Sequence, residues 1–255
     1  MKKTFLISIV AMAFFTCFAY GQPADVDDYL GQKISIYNNS DDVNDVEVLE
    51  KELSKLRGAE NNYDDELFLT LENNLVIDIA DMTPKSNDTK KKIYLLLSNQ
   101  NKKNTSYMEG KKLKKLNSDY LVSVADLKCR FIDYLAKQEN YEESMFAEEL
   151  YKQAIKNNKK NPMAYVGYGT WLFFAPPIVG GGIEAANKKY ETAVKYAKSP
   201  NAKYFALLYY SQSLFSLGDN DGYENALKEA ASIAESNVMV QAVRDVNEKN
   251  ILFFE

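Results

Sequence analysis

Apolar residues recur along this chain at three- and four-residue intervals, in blocks with distinct starts and stops. Val43, Val46, Leu49, Leu53 and Leu56 form one block, closed by Gly58. Leu67, Leu71, Leu75, Ile79 and Met82 form the next, after Asp64-Asp65 and before Pro84. Such spacing puts each set on one helix face. Tyr165, Tyr168, Trp171 and Leu172 stripe a further helix, which Pro176-Pro177 ends because proline lacks the amide donor and clashes with the preceding turn. Gly180-Gly181-Gly182 then reverses the backbone, and Ile183, Ala186, Tyr190 and Ala193 line the following helix. Gly167 and Gly169 leave room for a partner helix to approach. Tyr204, Leu207, Leu208, Ser211, Leu214 and Phe215 form another inner stripe. Val240, Val243, Val246 and Ile251 predict a closing helix over 237–253, with Phe253-Phe254 folding back on what precedes. The pattern predicts an all-α chain.

Two stretches are less decided. DVDDYLGQKISIY, within 22–41, reads as a short helix or an extended arm, with a turn or cap at NNSDD. In 83–117, Ile93 to Leu97 reads as a helix core or a short buried strand, and the surrounding lysine-rich sequence as a mobile loop.

The spacing Ala-x3-Tyr-x2-Ala occurs twice, at Ala147, Tyr151, Ala154 and at Ala186, Tyr190, Ala193; Ala226 and Ala230 sit in a similar third helix without the tyrosine. Successive units are about 39 and about 40 residues apart, against about 34 for a tetratricopeptide repeat. The PPIVGGG loop accounts for the excess in the middle unit. Pro162 and Pro200 each open a first helix, where the missing donor would be unpaired anyway. Over about 118–236 the chain therefore resembles tetratricopeptide-repeat proteins. The resemblance implies stacked helix hairpins in a short right-handed solenoid, whose first helices form a groove for a protein or peptide. Residues 175–193 and the YFALLYYSQSL helix are also similar to the T-components of bacterial TRAP transporter systems. That likeness implies an exported accessory of solute uptake, with a solute-binding protein or small ligand as partner. The organisation expected is a signal peptide (1–21), a helical region with a polar lysine-rich loop (22–117), repeats (118–236) and a C-terminal capping helix (237–255). The helix pair in 42–82 is a degenerate first repeat or an N-terminal cap.

Composition narrows the chemistry. The 255 residues are 46% hydrophobic and 13% aromatic, more than a disordered chain carries. There is no histidine, which removes histidine-dependent nucleophilic catalysis and the commonest zinc ligand. The net charge of −5 argues against general nucleic-acid binding. An acidic section (25–82) is followed by a basic one (85–115) that includes Lys90-Lys91-Lys92 and Lys111-Lys112-Lys114-Lys115. This contrast is either a mutually neutralising surface or a patch for peripheral membrane contact or an acidic partner.

Lys2, Lys3, the apolar segment Phe5 to Phe15 and Ala19-Tyr20-Gly21 predict export with cleavage before Gln22. Cys17 offers the alternative of a lipoprotein. Cleavage leaves Cys129 without an intramolecular partner, and its place beside Ala125 and Ile132 predicts a packed thiol. The triple glycine lacks the strand before it and the Lys-Ser/Thr after it that a phosphate loop needs. Asp219-Asn220-Asp221-Gly222 reads as a turn, since a calcium loop needs a glutamate where Ala230 stands. No catalytic, cofactor or metal site is expected. Tyr165, Tyr168, Trp171, Tyr204 and Tyr209 are the candidate contacts for a partner or ligand. The expected function is non-catalytic binding of a protein or peptide in the periplasm or cell envelope.

Overall fold

The computed structural model describes residues 22–39, 45–234 and 237–254. The expected leader, Cys17, Val43 and the turn at 40–42 lie outside the described residues. The described chain is helical, and no strand occurs among the described residues. The helices are α1 (Val26–Asn39), α2 (Asp45–Gly58), α3 (Asp65–Met82), α4 (Asn87–Met108), α5 (Ser118–Phe131), α6 (Lys137–Asn157), α7 (Pro162–Phe174), α8 (Ile183–Tyr196), α9 (Pro200–Leu217), α10 (Asn220–Ala231) and α11 (Val238–Asn247).

Capping sets the boundaries. Asp64 accepts from the Leu67 amide at the start of α3, and Asn161 accepts from Met163 and Ala164 at the start of α7. Pro162 and Pro200 occupy first turns, where no donor is lost. Asn117 caps α5 through the Asp119 amide, one residue before the Ser118 or Asp119 start read from sequence. Helix α6 likewise starts at Lys137, earlier than the Glu142 that periodicity suggests. Asp219 accepts from Gly222 at 2.9 Å, so its carboxylate serves as a helix cap.

Consecutive helices pack in pairs: α3 with α4, α5 with α6, α7 with α8 and α9 with α10. Helices α3, α5, α7 and α9 also touch one another in order, forming an inner row. Ala147, Ala154, Ala186 and Ala193 are fully covered, as is Tyr190, with Tyr151 nearly so. The small residues let the backbones approach; Tyr151 fills the gap between α6 and α7 of the next hairpin, and Tyr190 the gap between α8 and α7 of its own. At Gly169 an added Cβ would lie 2.7 Å from the Tyr190 ring, and Gly167 is packed in the same way on Tyr151. Between α7 and α8, Gly180 and Gly182 adopt positive φ (85° and 124°), the reversal expected of the glycine run.

The mobile loop expected in 83–117 is corrected to helix α4 followed by a short 3-10 turn at Leu113–Lys115. Ser86 and Thr89 form a capping box at its start. Ile93 and Leu97 are buried, and the buried face continues through Gln100, Asn101 and Asn104. The stripe is helical throughout but changes from apolar to amide side chains after Leu97, where apolar periodicity stops reporting it. The amides are satisfied internally. Asn73 Oδ1 accepts from Gln100 and Asn104, each at 2.8 Å, and Asn73 Nδ2 donates to Ser123 at 3.0 Å.

Of the two readings open for 22–41, a short helix or an extended arm, the structure has the helix, α1 (Val26–Asn39). It lies across the inner row, touching α3, α9 and α11. Helix α11 ends at Asn247, so Ile251 is exposed rather than part of its stripe. The tail then turns back: the Phe253 amide donates to Gln212, and the Phe254 ring packs 5.3 Å from Phe173 and 5.6 Å from Tyr209.

Candidate functional site

The inner row collects polar groups that are far apart in sequence. Helix α1 contributes Lys33 and Tyr37, α3 contributes Asp78 and Asp81, α5 contributes Asp126 and Arg130, and α9 contributes Tyr209. The position of α1 is set at three points. Ser199 donates to the Asp27 carboxylate and Asn201 to the Asp27 carbonyl, fixing its start against α9. Tyr29 donates to Asp78, fixing its middle against α3. Asn38 accepts from the Met239 amide at 3.0 Å, fixing its end against α11.

Lys33 then reaches the same Asp78 carboxylate, with 24% of the lysine and 2% of the aspartate side chain accessible. Its ammonium lies 5.5 Å from the Tyr37 ring centre and 5.6 Å from that of Phe205. Burial alone would lower the Lys33 pKa, but Asp78 together with the Tyr37 and Tyr209 phenols outweighs it and holds the ammonium above the ordinary lysine range. Next along the row, Arg130 Nε meets Asp81 at 3.0 Å. These two side chains retain 32% and 36% of their surface, yet desolvation still raises the Asp81 pKa against the pull of Arg130. Desolvation despite that exposure means that both groups stand among surrounding protein atoms rather than on an open surface.

Asp126 accepts from Tyr151 at 2.5 Å. Burial lifts its pKa to about 6, with Tyr151 and Arg130 holding it back from a larger rise. Tyr209 is raised chiefly by burial and feels Arg130, Lys33, Asp126 and Asp81 together. Three carboxylates, two cations and two phenols are thus gathered within electrostatic reach of one another, and the Phe253-Phe254 tail packs on Tyr209 at the edge of this cluster. Cys129 lies 3.7 Å from the Tyr151 hydroxyl at its margin, and burial pushes its thiol up to about 12, so it is not a thiolate nucleophile at neutral pH.

Of the aromatic residues singled out from sequence, only Tyr209 stands in this cluster. Tyr204 is fully covered and Trp171 is buried, its indole donating to the Ser144 carbonyl at 3.0 Å. Tyr168 lies half-buried beside Glu148, and Tyr165 packs on Tyr196 and donates to the Lys159 carbonyl. The charged members were missed because each is unremarkable alone. A signal was present in the interruption of apolar runs: Asp78 and Asp81 within LVIDIADM, and Asp126 with Arg130 one turn apart in VADLKCRF.

No protein-family model matches the chain, and no curated protein matches it significantly.

The acidic and basic sections meet in part: Lys92 pairs with Glu50 and Lys103 with Glu72, each at 2.7 Å. The cluster Lys111 to Lys115 stays largely exposed. No helix among the described residues is long and apolar enough to cross a membrane.

Proposed function

We propose that the chain is a non-catalytic binding protein of the cell envelope, built as a tetratricopeptide-like solenoid with helical caps. Its inner polar cluster would take a small polar ligand in support of solute uptake. The observation that carries this reading is the occupancy of the inner row. Helix α1 packs on α3 and α9 of that row and the C-terminal tail packs on Tyr209, so both would obstruct an extended peptide along it, while Lys33, Asp81, Arg130 and Tyr209 stay clustered beside them. Arg130 engages Asp81 through Nε, and the outer fork of the guanidinium, which bonds to none of the described residues, would take a ligand carboxylate. The phenols of Tyr37 and Tyr209 add donors of fixed position. The paired lysines, apolar core and small-residue site at the N-terminus support export.

Native mass spectrometry of the chain from Gln22 onward, purified from its own envelope, tests this. A stoichiometric small molecule that Arg130→Met with Tyr209→Phe releases supports the reading. Retention by that double variant moves the ligand elsewhere.

A second reading, a protein-binding scaffold, is favoured by the loop after α7. It presents Ile178 at 92% exposure, with Phe174 and Val179 also exposed, on a backbone held by the Gly182 amide bonded to the Leu172 carbonyl at 2.8 Å. Capture of an envelope protein that Ile178→Ser abolishes, with no small molecule bound, would establish that alternative.

A further inference from the structure

Where α5 ends at Phe131, residues of α4 and α6 line an open groove of about 460 Å³ with it. One wall is formed by Tyr94 of α4 and Phe131 of α5, whose rings lie 5.7 Å apart. The other wall is α6, where Glu139, Glu142, Glu143 and Phe146 recur at i, i+3, i+4 and i+7 and share one helix face. Rings supply negative faces and the carboxylates supply charge, so both walls favour a cation and neither favours an anion.

The chain already places one of its own cations in this setting. Lys128, with 3% of its side chain accessible, pairs with Glu143 at 2.5 Å and lies 5.1 Å from the Phe146 ring centre, while Asn101 accepts a further bond at 3.0 Å. That lysine uses Glu143. Glu139 and Glu142 remain on the open side, where Glu142 has only a long contact of 3.4 Å from Gln138. The volume lies within the roughly 300–1,000 Å³ of small-molecule sites.

We propose that this groove is a second binding site, for a small organic cation: a primary ammonium on an apolar stem. The ammonium sits between Glu139 and Glu142, and the stem lies along Tyr94 and Phe131. The site is independent of the inner polar cluster and of the function proposed for it.

Calorimetry with hexylammonium, hexanol and hexanoate on the chain from Gln22 tests the assignment. Hexylammonium binds, hexanol binds at least tenfold more weakly, and hexanoate does not bind. Glu139→Gln with Glu142→Gln, both surface changes, weakens hexylammonium at least tenfold without moving the melting temperature, and Tyr94→Leu weakens it less. Arg130→Met leaves it unchanged, which separates this site from the inner cluster. Equal affinity for hexanol and hexylammonium, unchanged binding by the double glutamine variant, or no hexylammonium binding at millimolar concentration overturns the proposal.

Discussion

Tyr151 of α6 donates its phenolic hydrogen to Asp126 of α5 across 2.5 Å, and this bond joins the repeated Ala-x3-Tyr-x2-Ala spacing to the inner polar cluster. The tyrosine ring fills the gap between hairpins while its hydroxyl emerges among the charged groups. Burial nevertheless leaves Asp126 with a pKa of about 6 against an ordinary 3.8. The folded state therefore holds its proton more tightly than the unfolded chain. Asp126 contributes its stability in full below pH 4 and loses it as pH rises through about 6. The gap corresponds to at most about 3 kcal/mol, and solvent access to this half-buried side chain reduces it to ~1 kcal/mol. Asp126→Asn keeps an acceptor for Tyr151 and removes the ionisation. Its stability relative to wild type should rise between pH 4 and 7 in urea unfolding. A relative fall over that interval would refute the assignment.

Lys33 and Asp78 give a larger effect. Asp78 is almost completely covered and is served by Lys33 and Tyr29. Lys33→Met strands a buried carboxylate on one phenol and should cost about 3 kcal/mol. Adding Asp78→Asn removes the stranded charge, so the double variant should be more stable than Lys33→Met alone. If the second change only deepens the loss, the two side chains are not coupled as described.

The hairpins were legible in sequence because their code is steric: Ala147, Tyr151 and Ala154 share a face, and only close helix contact explains two small residues around one ring. Proline and glycine marked the ends of α7 for equally local reasons. Helix α4 was only half legible, since Gln100, Asn101 and Asn104 look like surface residues until Asn73 and Ser123 are brought beside them. The polar cluster was less legible still. Lys33, Asp81, Arg130 and Tyr209 come from four helices, and no periodicity within any one of them reports the other three. Helix α1 was undecided because its burial depends on partners in α3, α9 and α11 rather than on a strong stripe of its own.

The amide network makes a separate prediction. Asn73→Ala leaves Gln100, Asn104 and Ser123 buried with fewer partners, at a cost of about 1–3 kcal/mol for each group left unsatisfied and a net loss of about 3 kcal/mol after relaxation. Asn99→Ala, one residue before Gln100 but exposed, should stay within about 0.5 kcal/mol of wild type. Equal chemical-denaturation midpoints for the two variants would remove the network from the account of α4.

Gly169→Ala sets helix propensity against packing. Alanine is favoured over glycine within a helix by about 1 kcal/mol. The new Cβ, however, would stand 2.7 Å from Tyr190 Cε1, a ring that is fully covered and cannot swing aside. Overpacking at such a site costs about 1–3 kcal/mol, so the net effect should be destabilising. Gly58→Ala, whose Cβ meets nothing within 4 Å, is the control that should be neutral or better. A stabilised Gly169→Ala would mean that α7 and α8 are farther apart than their packing indicates.

Tyr120 and Tyr151 make opposite predictions from the same substitution. Tyr120 is fully buried, its ring edge-on to Tyr107 at 5.3 Å, and its hydroxyl has no hydrogen-bond partner among the described residues. Phenylalanine there keeps the packing and removes an unpaired polar group, for an expected gain of about 1 kcal/mol. The Tyr151 hydroxyl is bonded to Asp126, and Tyr151→Phe leaves that carboxylate without its donor, for an expected loss of about 1.5 kcal/mol. Ring burial is nearly equal at the two sites, so the difference isolates the hydroxyl's partner. Urea midpoints that move the same way in both variants would show that hydrogen bonding at these hydroxyls does not decide their contribution.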